Sequence, residues 1–153
     1  MASCIIFGAA DFTRLIEPVT PEDYIIAADG GLRHTQALGL TPQEILGDFD
    51  SLGYIPQGAT VYPVEKDDTD TMLAVKRGLA LGYRRFLLYG GMGGRRLDHT
   101  MANFQALAYL AAHNALGFLV GSDTLAAAIH RGTVNFPAGM AGDFSAFCLG
   151  SPA

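Results

Sequence analysis

The chain has no tryptophan, and only 16% of its residues are charged, against about 25% in an average globular protein. It has two cysteines, Cys4 and Cys148, which stand too far apart for a zinc-ligand or CxxC redox spacing. Both lie in apolar surroundings, which predicts buried thiols in a reducing compartment, with a bond between them as the alternative. A basic excess is also missing. Ten Lys and Arg against fifteen Asp and Glu leave a net charge of −5, which argues against nucleic acid and anionic membrane surfaces as partners. No stretch is apolar for long enough to span a bilayer. The opening residues, MASCIIFGAADF, lack the basic region and the length of a signal peptide. These absences predict a cytoplasmic protein. There is no internal repeat or low-complexity linker.

What is present is core material. Half of the 153 residues are hydrophobic, enough for one domain with a substantial interior. Glycine is abundant, at 19 residues, about 12% against a usual ~7%. Such an excess fits tight turns or backbone that approaches a ligand closely.

Short apolar runs recur along the chain: CIIFGAA (4–10), YIIAADGG (24–31), EILGDFDS (44–51), TVYPVE (60–65), RFLLYGG (85–91) and LGFLVGSD (116–123). Strands that are apolar throughout belong in a parallel sheet covered on both faces. Between them lie helical patterns at 31–39, 69–82 and 97–114. The second places Met72, Val75 and Leu79 on one face. The third predicts a core-facing stripe of Leu97, Met101, Phe104, Ala108 and Ala111. This alternation predicts an α/β, doubly wound, mostly parallel sheet with helices on both faces. Residues 1–123 form the expected α/β domain. After residue 123 the sequence changes to short strand-and-turn patterns, so 124–153 reads as the start of a C-terminal β region.

The polar residues gather where the strands end. In open α/β sheets ligands bind beyond the carboxyl ends of the strands, and four of the predicted strands carry their unusual residues there. Asp29-Gly30-Gly31 follows the second and Gly47-Asp48-Phe49-Asp50-Ser51 the third. Lys66-Asp67-Asp68-Thr69-Asp70 follows the fourth, and Gly90 to Asp98 the fifth.

Gly, Asp and Ser all favour turns, so GDFDS has a purely local reading. Its functional reading is a hard-cation site, because carboxylate oxygens suit Mg²⁺ shared with substrate phosphates. KDDTD has a local reading too, with Asp68 or Thr69 capping the next helix. A cap needs one such residue, and the surplus acids favour metal coordination, with Lys66 beside a phosphate. GGMGGRRLDH matches neither a Walker A loop nor GxGxxG. It is either a surface turn or a glycine-rich loop at a helix start, whose N–H groups and arginines hold phosphates. Acids on one side and arginines on the other suit a metal–nucleotide complex. No Ser-His-Asp or Cys-His arrangement is legible, so a covalent hydrolase is not expected.

Taken together and in this order, ADGG, GDFDS, KDDTD and GGRRLDHTMAN resemble the catalytic domain of thiamine pyrophosphokinase, from about residue 3 to about residue 150. GDFDS combined with D-x-T-D is specific, whereas each motif alone is not. The resemblance implies Mg²⁺-dependent transfer of a pyrophosphoryl group from ATP to the hydroxyl of thiamine, giving thiamine diphosphate and AMP. It implies Asp48, Asp50, Asp67 and Asp70 as metal-binding acids. Asp29, Gly30, Gly31, Ser51, Lys66, Thr69, Arg95 or Arg96, Asp98 and His99 would line the nucleotide site. Asp98 or a metal-site carboxylate would accept the hydroxyl proton.

Many relatives read GGRxDH, whereas Arg95 and Arg96 stand here in tandem; the distance from Asp98 favours Arg96 as the phosphate ligand. The family also carries a C-terminal β-sandwich that helps to bind thiamine and builds a homodimer. Only its first strands, around 129–149, are expected here. Two alternatives remain open: a pyrophosphokinase for another hydroxymethyl heterocycle such as a pterin, and a non-catalytic Mg-ATP-binding module.

Overall fold

A computed structural model of the chain describes residues 1–64 and 67–149. Seven strands form one sheet: β1 (Cys4–Phe7), β2 (Tyr24–Ala28), β3 (Glu44–Gly47), β4 (Thr60–Val61), β5 (Arg85–Tyr89), β6 (Leu116–Val120) and β7 (Leu125–Ala127). Their spatial order is β4-β3-β2-β1-β5-β6-β7. Every neighbouring pair is parallel except β6–β7, which is antiparallel. From β1 the chain steps outward through β2, β3 and β4. It then crosses back to the other side of β1 for β5 and β6. This reversal of winding opens a crevice beyond the strand ends near β1.

The reversal also decides which face each connection covers, because parallel crossovers are right-handed. The helices α2 (Asp70–Ala80) and α3 (Leu97–Ala112) pack on one face. There Ala74, Val75, Ala106, Leu107 and Leu110 meet Cys4, Ile6, Ile26, Phe86 and Leu88 in the larger core. The opposite face carries Ile5, Phe7, Ile25, Leu87 and Tyr89, with Phe12, Leu15 and Val19 of the β1–β2 connection packed on them. The short helix α1 (Leu32–Ala37) covers the same side through Leu32, which joins Ala27, Phe49 and Leu52. Helices therefore lie on both faces, but an irregular segment does much of the covering on the second.

Four sequence expectations change. The stripe of α3 is rotated from the expected one. Leu97 and Met101 are exposed, while Asn103, Ala106, Leu107, Leu110 and Ala111 are buried. The fourth strand shrinks to Thr60–Val61, because Pro63 lacks the N–H that a longer ladder needs. The tail contributes only β7; from Ala128 to Leu149 the described residues form neither strand nor helix, and Phe136, Met140, Phe144 and Phe147 are exposed. Both cysteines are free thiols. Cys4 is buried, and burial pushes its thiol up to about 12, but Cys148 is exposed, against expectation. No helix among the described residues is long and apolar enough to cross a membrane.

Candidate active site

Asp29 opens a single 3-10 turn, Asp29–Gly31, at the end of β2. Its φ is +48°, a conformation that L residues seldom adopt and that Asp tolerates better than most. Glycines on both sides make the turn possible. A Cβ on Gly31 would lie 1.8 Å from the carbonyl oxygen of Phe7, and one on Gly47 would lie 3.1 Å from the Asp29 nitrogen. The turn is thus wedged between the ends of β1 and β3. The Asp29 side chain is left only 8% exposed. Its Oδ2 accepts a short hydrogen bond from the Ser51 hydroxyl. Its Oδ1 is buried and has no hydrogen-bond partner among the described residues.

The segment after β3 supplies the neighbouring acids. Phe49, with φ +61°, is 3% exposed and packs with Leu32 and Leu52. Burying this ring anchors the loop, so that half-buried Asp48 and exposed Asp50 both reach the same cleft. Asp48 Oδ1 also accepts the Asp50 N–H at 3.2 Å. Carboxylate oxygens of Asp29, Asp48 and Asp50 lie within 4.8 Å of one another. Asp29, assigned to the nucleotide on sequence grounds, thus stands with the two acids assigned to the metal.

The cleft has a volume of about 300 Å³ and is lined by these three residues together with Val64, Asp67, Asp68, Thr69, Asp70, Arg96 and His99. The surplus acids of KDDTD separate into roles. Thr69 is the N-cap of α2, its hydroxyl accepting the Met72 N–H at 3.2 Å. Asp68 is paired with Lys76 at 2.5 Å. Asp67 and Asp70 line the cleft but fall outside the group of three. Lys66 lies outside the described residues.

Of the tandem arginines, Arg96 lines the cleft while exposed Arg95 does not. Arg96 holds Asp98 with two bonds, Nε to Oδ1 at 2.9 Å and Nη2 to Oδ2 at 2.6 Å. Those bonds hold the Asp98 carboxyl down to about 2, which makes it a weak proton acceptor near neutral pH. Ser51, Gly30 and Gly31 stand behind the cleft rather than in its lining. Ser51 bonds Asp29, and a Cβ on Gly30 would lie 3.1 Å from the Ser51 hydroxyl.

The glycine-rich loop is pinned by residues that sequence reasoning missed. Buried Asn103 donates to the Gly91 carbonyl at 2.7 Å, and Asp11 accepts the Gly94 N–H at 3.1 Å. Asn103 left only its place at the end of GGRRLDHTMAN, since the expected stripe of α3 omits it. Asp11 left none. The Gly94 N–H is therefore taken up by Asp11, and the cationic side chain that this loop presents to the cleft is Arg96.

The donor set fits a hard cation. It consists of carboxylates, and that of Asp29 has a buried oxygen without a hydrogen-bond partner among the described residues, which natural proteins seldom tolerate.

Comparison with known proteins bears on the family and the fold. Residues 17–118, two thirds of the chain, match the family described as thiamin pyrophosphokinase, catalytic domain. A search of curated proteins returns no match. Among solved structures, thiamine pyrophosphokinase from Bacillus subtilis is 26% identical, with a TM-score of 0.61 over 78% of this chain and 60% of its own. A probable thiamine pyrophosphokinase from Staphylococcus saprophyticus is 30% identical, with a TM-score of 0.59 over 78% and 65%. Thiamin pyrophosphokinase from Candida albicans is 13% identical and shares the fold, with a TM-score of 0.58 over 80% and 59%. The chain thus spans about three fifths of the length of the solved structures that it matches. With the family matched over two thirds of the chain, and with its motifs gathered on one cleft, the chain belongs to the thiamin pyrophosphokinase catalytic-domain family.

Proposed function

We propose that this chain is the nucleotide-binding catalytic part of a thiamine pyrophosphokinase, moving a pyrophosphoryl group from ATP to the hydroxyl of thiamine and releasing AMP. The observation that carries this reading is the convergence of Asp29, Asp48 and Asp50 within 4.8 Å, with the buried Asp29 oxygen unpartnered and Arg96 lining the same cleft. Residues 1–123 are the catalytic unit in this reading, and 124–153 begin a C-terminal β domain. The setting is cytoplasmic, and the full-length assembly is a homodimer.

Asp29, Asp48 and Asp50, with Asp67 and Asp70 nearby, would hold Mg²⁺. When bound, the ion neutralises phosphate charge and orients the phosphates for in-line attack. The chain's own residues do the rest. Ser51 fixes the rotamer of Asp29 through its hydroxyl, and buried Phe49 fixes the loop that carries Asp48 and Asp50. Thr69 sets the first turn of α2, from which Asp70 projects. Arg96 supplies positive charge for a phosphate oxygen, while His99 stands in the cleft wall. Arg96 keeps Asp98 ionised and weakly basic. The proton of the attacking hydroxyl is therefore better accepted by a cleft carboxylate.

A second reading is a Mg-ATP-binding module without turnover, which the same cleft of acids and Arg96 would also serve. One experiment separates the two. The chain is incubated with ATP, Mg²⁺ and thiamine, and AMP and thiamine diphosphate are quantified, with Asp48→Asn and a pterin acceptor as controls. Thiamine-dependent AMP that the substitution abolishes supports the kinase. Mg²⁺-dependent ATP binding without AMP supports the module, and ADP as product would count against both.

A further inference from the structure

We infer that Asp11 is a positioning residue for Arg96, acting through the glycine-rich loop; the inference rests on the nucleotide reading of the cleft. Asp11 belongs to the β1–β2 connection, 83 residues away from its partner Gly94. The two loops press together directly. The Gly8 N–H donates to the Tyr89 carbonyl and the Ala10 N–H to the Gly90 carbonyl, both at 2.8 Å. A Cβ on Gly90 would lie 2.2 Å from the Gly8 carbonyl oxygen, so no side chain fits between the two loops at this point. Beyond it the glycine-rich loop runs free of the sheet. Gly93 and Gly94 have φ of +85° and +75°, and the turn they make receives the Asp11 carboxylate. Oδ2 accepts the Gly94 N–H at 3.1 Å and would lie 3.1 Å from a Cβ on Gly93.

The loop is thus held at two points by side chains. Buried Asn103 fixes its base at Gly91, and exposed Asp11 fixes its tip at Gly94. Arg96 follows the tip by two residues. It is also the N-cap residue of α3, where no side chain caps the helix. From α3, Asn103 fixes Gly91, the Thr100 N–H bonds the Arg96 carbonyl at 3.3 Å and Asp98 holds the guanidinium; between these points the Asp11 clamp at Gly94 sets the path of the tip that leads into Arg96. The connection is itself braced from α1, because the His34 ring stands 2.8 Å from the Ala10 carbonyl oxygen.

Charge and position make opposite demands, and this provides the test. Asp11 is an acid bound to the loop that carries Arg96, so charge alone predicts that removing it tightens ATP binding. Positioning predicts that losing the acceptor weakens it. Asparagine keeps an acceptor oxygen and removes the charge; alanine removes both.

In the full chain, Mg-ATP affinity by calorimetry is expected to fall about threefold to tenfold in Asp11→Ala, the effect of one exposed hydrogen bond. Asp11→Asn is expected to bind at least as tightly as the unaltered protein. The alanine effect should vanish when Arg96→Ala is already present, since a clamp that acts through Arg96 has nothing left to place. Equal affinities for Asp11→Ala and Asp11→Asn, or an undiminished alanine effect without Arg96, would overturn the inference. The clamp also has a readout without nucleotide. Exchange of the Gly94 amide by NMR should quicken several-fold in Asp11→Ala and not in Asp11→Asn. If the unaltered chain binds no Mg-ATP, the nucleotide reading fails by itself, and unchanged Gly94 exchange would sink the clamp as well.

Discussion

Replacing Asp29 by asparagine should stabilise the metal-free protein while removing its response to Mg²⁺. The carboxylates of Asp29, Asp48 and Asp50 lie within 4.8 Å of one another. At that separation a pair of unit charges repels by about 0.9 kcal/mol in water and about 3.5 kcal/mol at an effective dielectric of ~20. Asp50 is exposed and Asp48 half-buried, so water screens both pairs and each stands near the lower figure. Neutralising Asp29 therefore relieves about 2 kcal/mol.

Against this, the Ser51 hydroxyl would donate to a neutral amide instead of a carboxylate, a loss of about 1 kcal/mol. Asparagine also accepts the positive φ of residue 29 at least as readily as aspartate does. The net gain is about 1 kcal/mol, or about 2–4 °C in Tm for a chain of this size. Thermal melts in EDTA should show that rise. In millimolar Mg²⁺ the unaltered protein should gain stability and the Asp29→Asn variant should not. A lower Tm for the variant in EDTA would mean that the three acids do not repel as placed. An equal Mg²⁺ response in both proteins would mean that Asp29 takes no part in holding the ion.

Three further outcomes follow from the same coordinates. Thr69→Ala removes the hydroxyl that caps α2 at the Met72 N–H and should cost about 1 kcal/mol in a urea melt, whereas Thr69→Ser should cost a fraction of that. Gly78→Ala should destabilise by about 1–3 kcal/mol through overpacking, although alanine is the better helix former by about 1 kcal/mol. The reason is space: a Cβ there would lie 2.5 Å from Phe86 Cε1 and 2.7 Å from Cys4 Sγ, and a stabilised variant would refute this packing. Finally, Arg96 holds the Asp98 carboxyl at about 2, below its ordinary 3.8. Because the folded value is the depressed one, this pair's contribution is complete above about 3.8 and is lost as the pH falls through about 2. An NMR titration should place the Asp98 midpoint near the lower value and return it towards the higher one in Arg96→Gln.

The apolar strand runs were legible because burial on both faces of a parallel sheet requires unbroken hydrophobicity, and residues such as Ile5, Ile26 and Leu87 supply it. The turns were legible too. Gly31 and Gly47 sit where any side chain would strike backbone, so the glycines had to follow the strands, and the acids that follow them had to stand at the rim. Even the cap at Thr69 could be read, because capping depends on residues three apart in sequence.

What the sequence left open was settled by distances between segments far apart in the chain. The rotation of α3 depended on which residues the sheet covers, which no local period encodes. That Asp29 joins Asp48 and Asp50 was decided by β2 and β3 lying side by side. Which arginine faces the cleft was decided by the path of the glycine-rich loop, and that path is fixed by Asn103 and Asp11. Asp11 carries no local mark at all, since its partner is 83 residues away. Hydrophobic pattern and turn chemistry are local properties written residue by residue. The grouping of charges in a site is a property of space, and only the folded chain brings those residues within reach of one another.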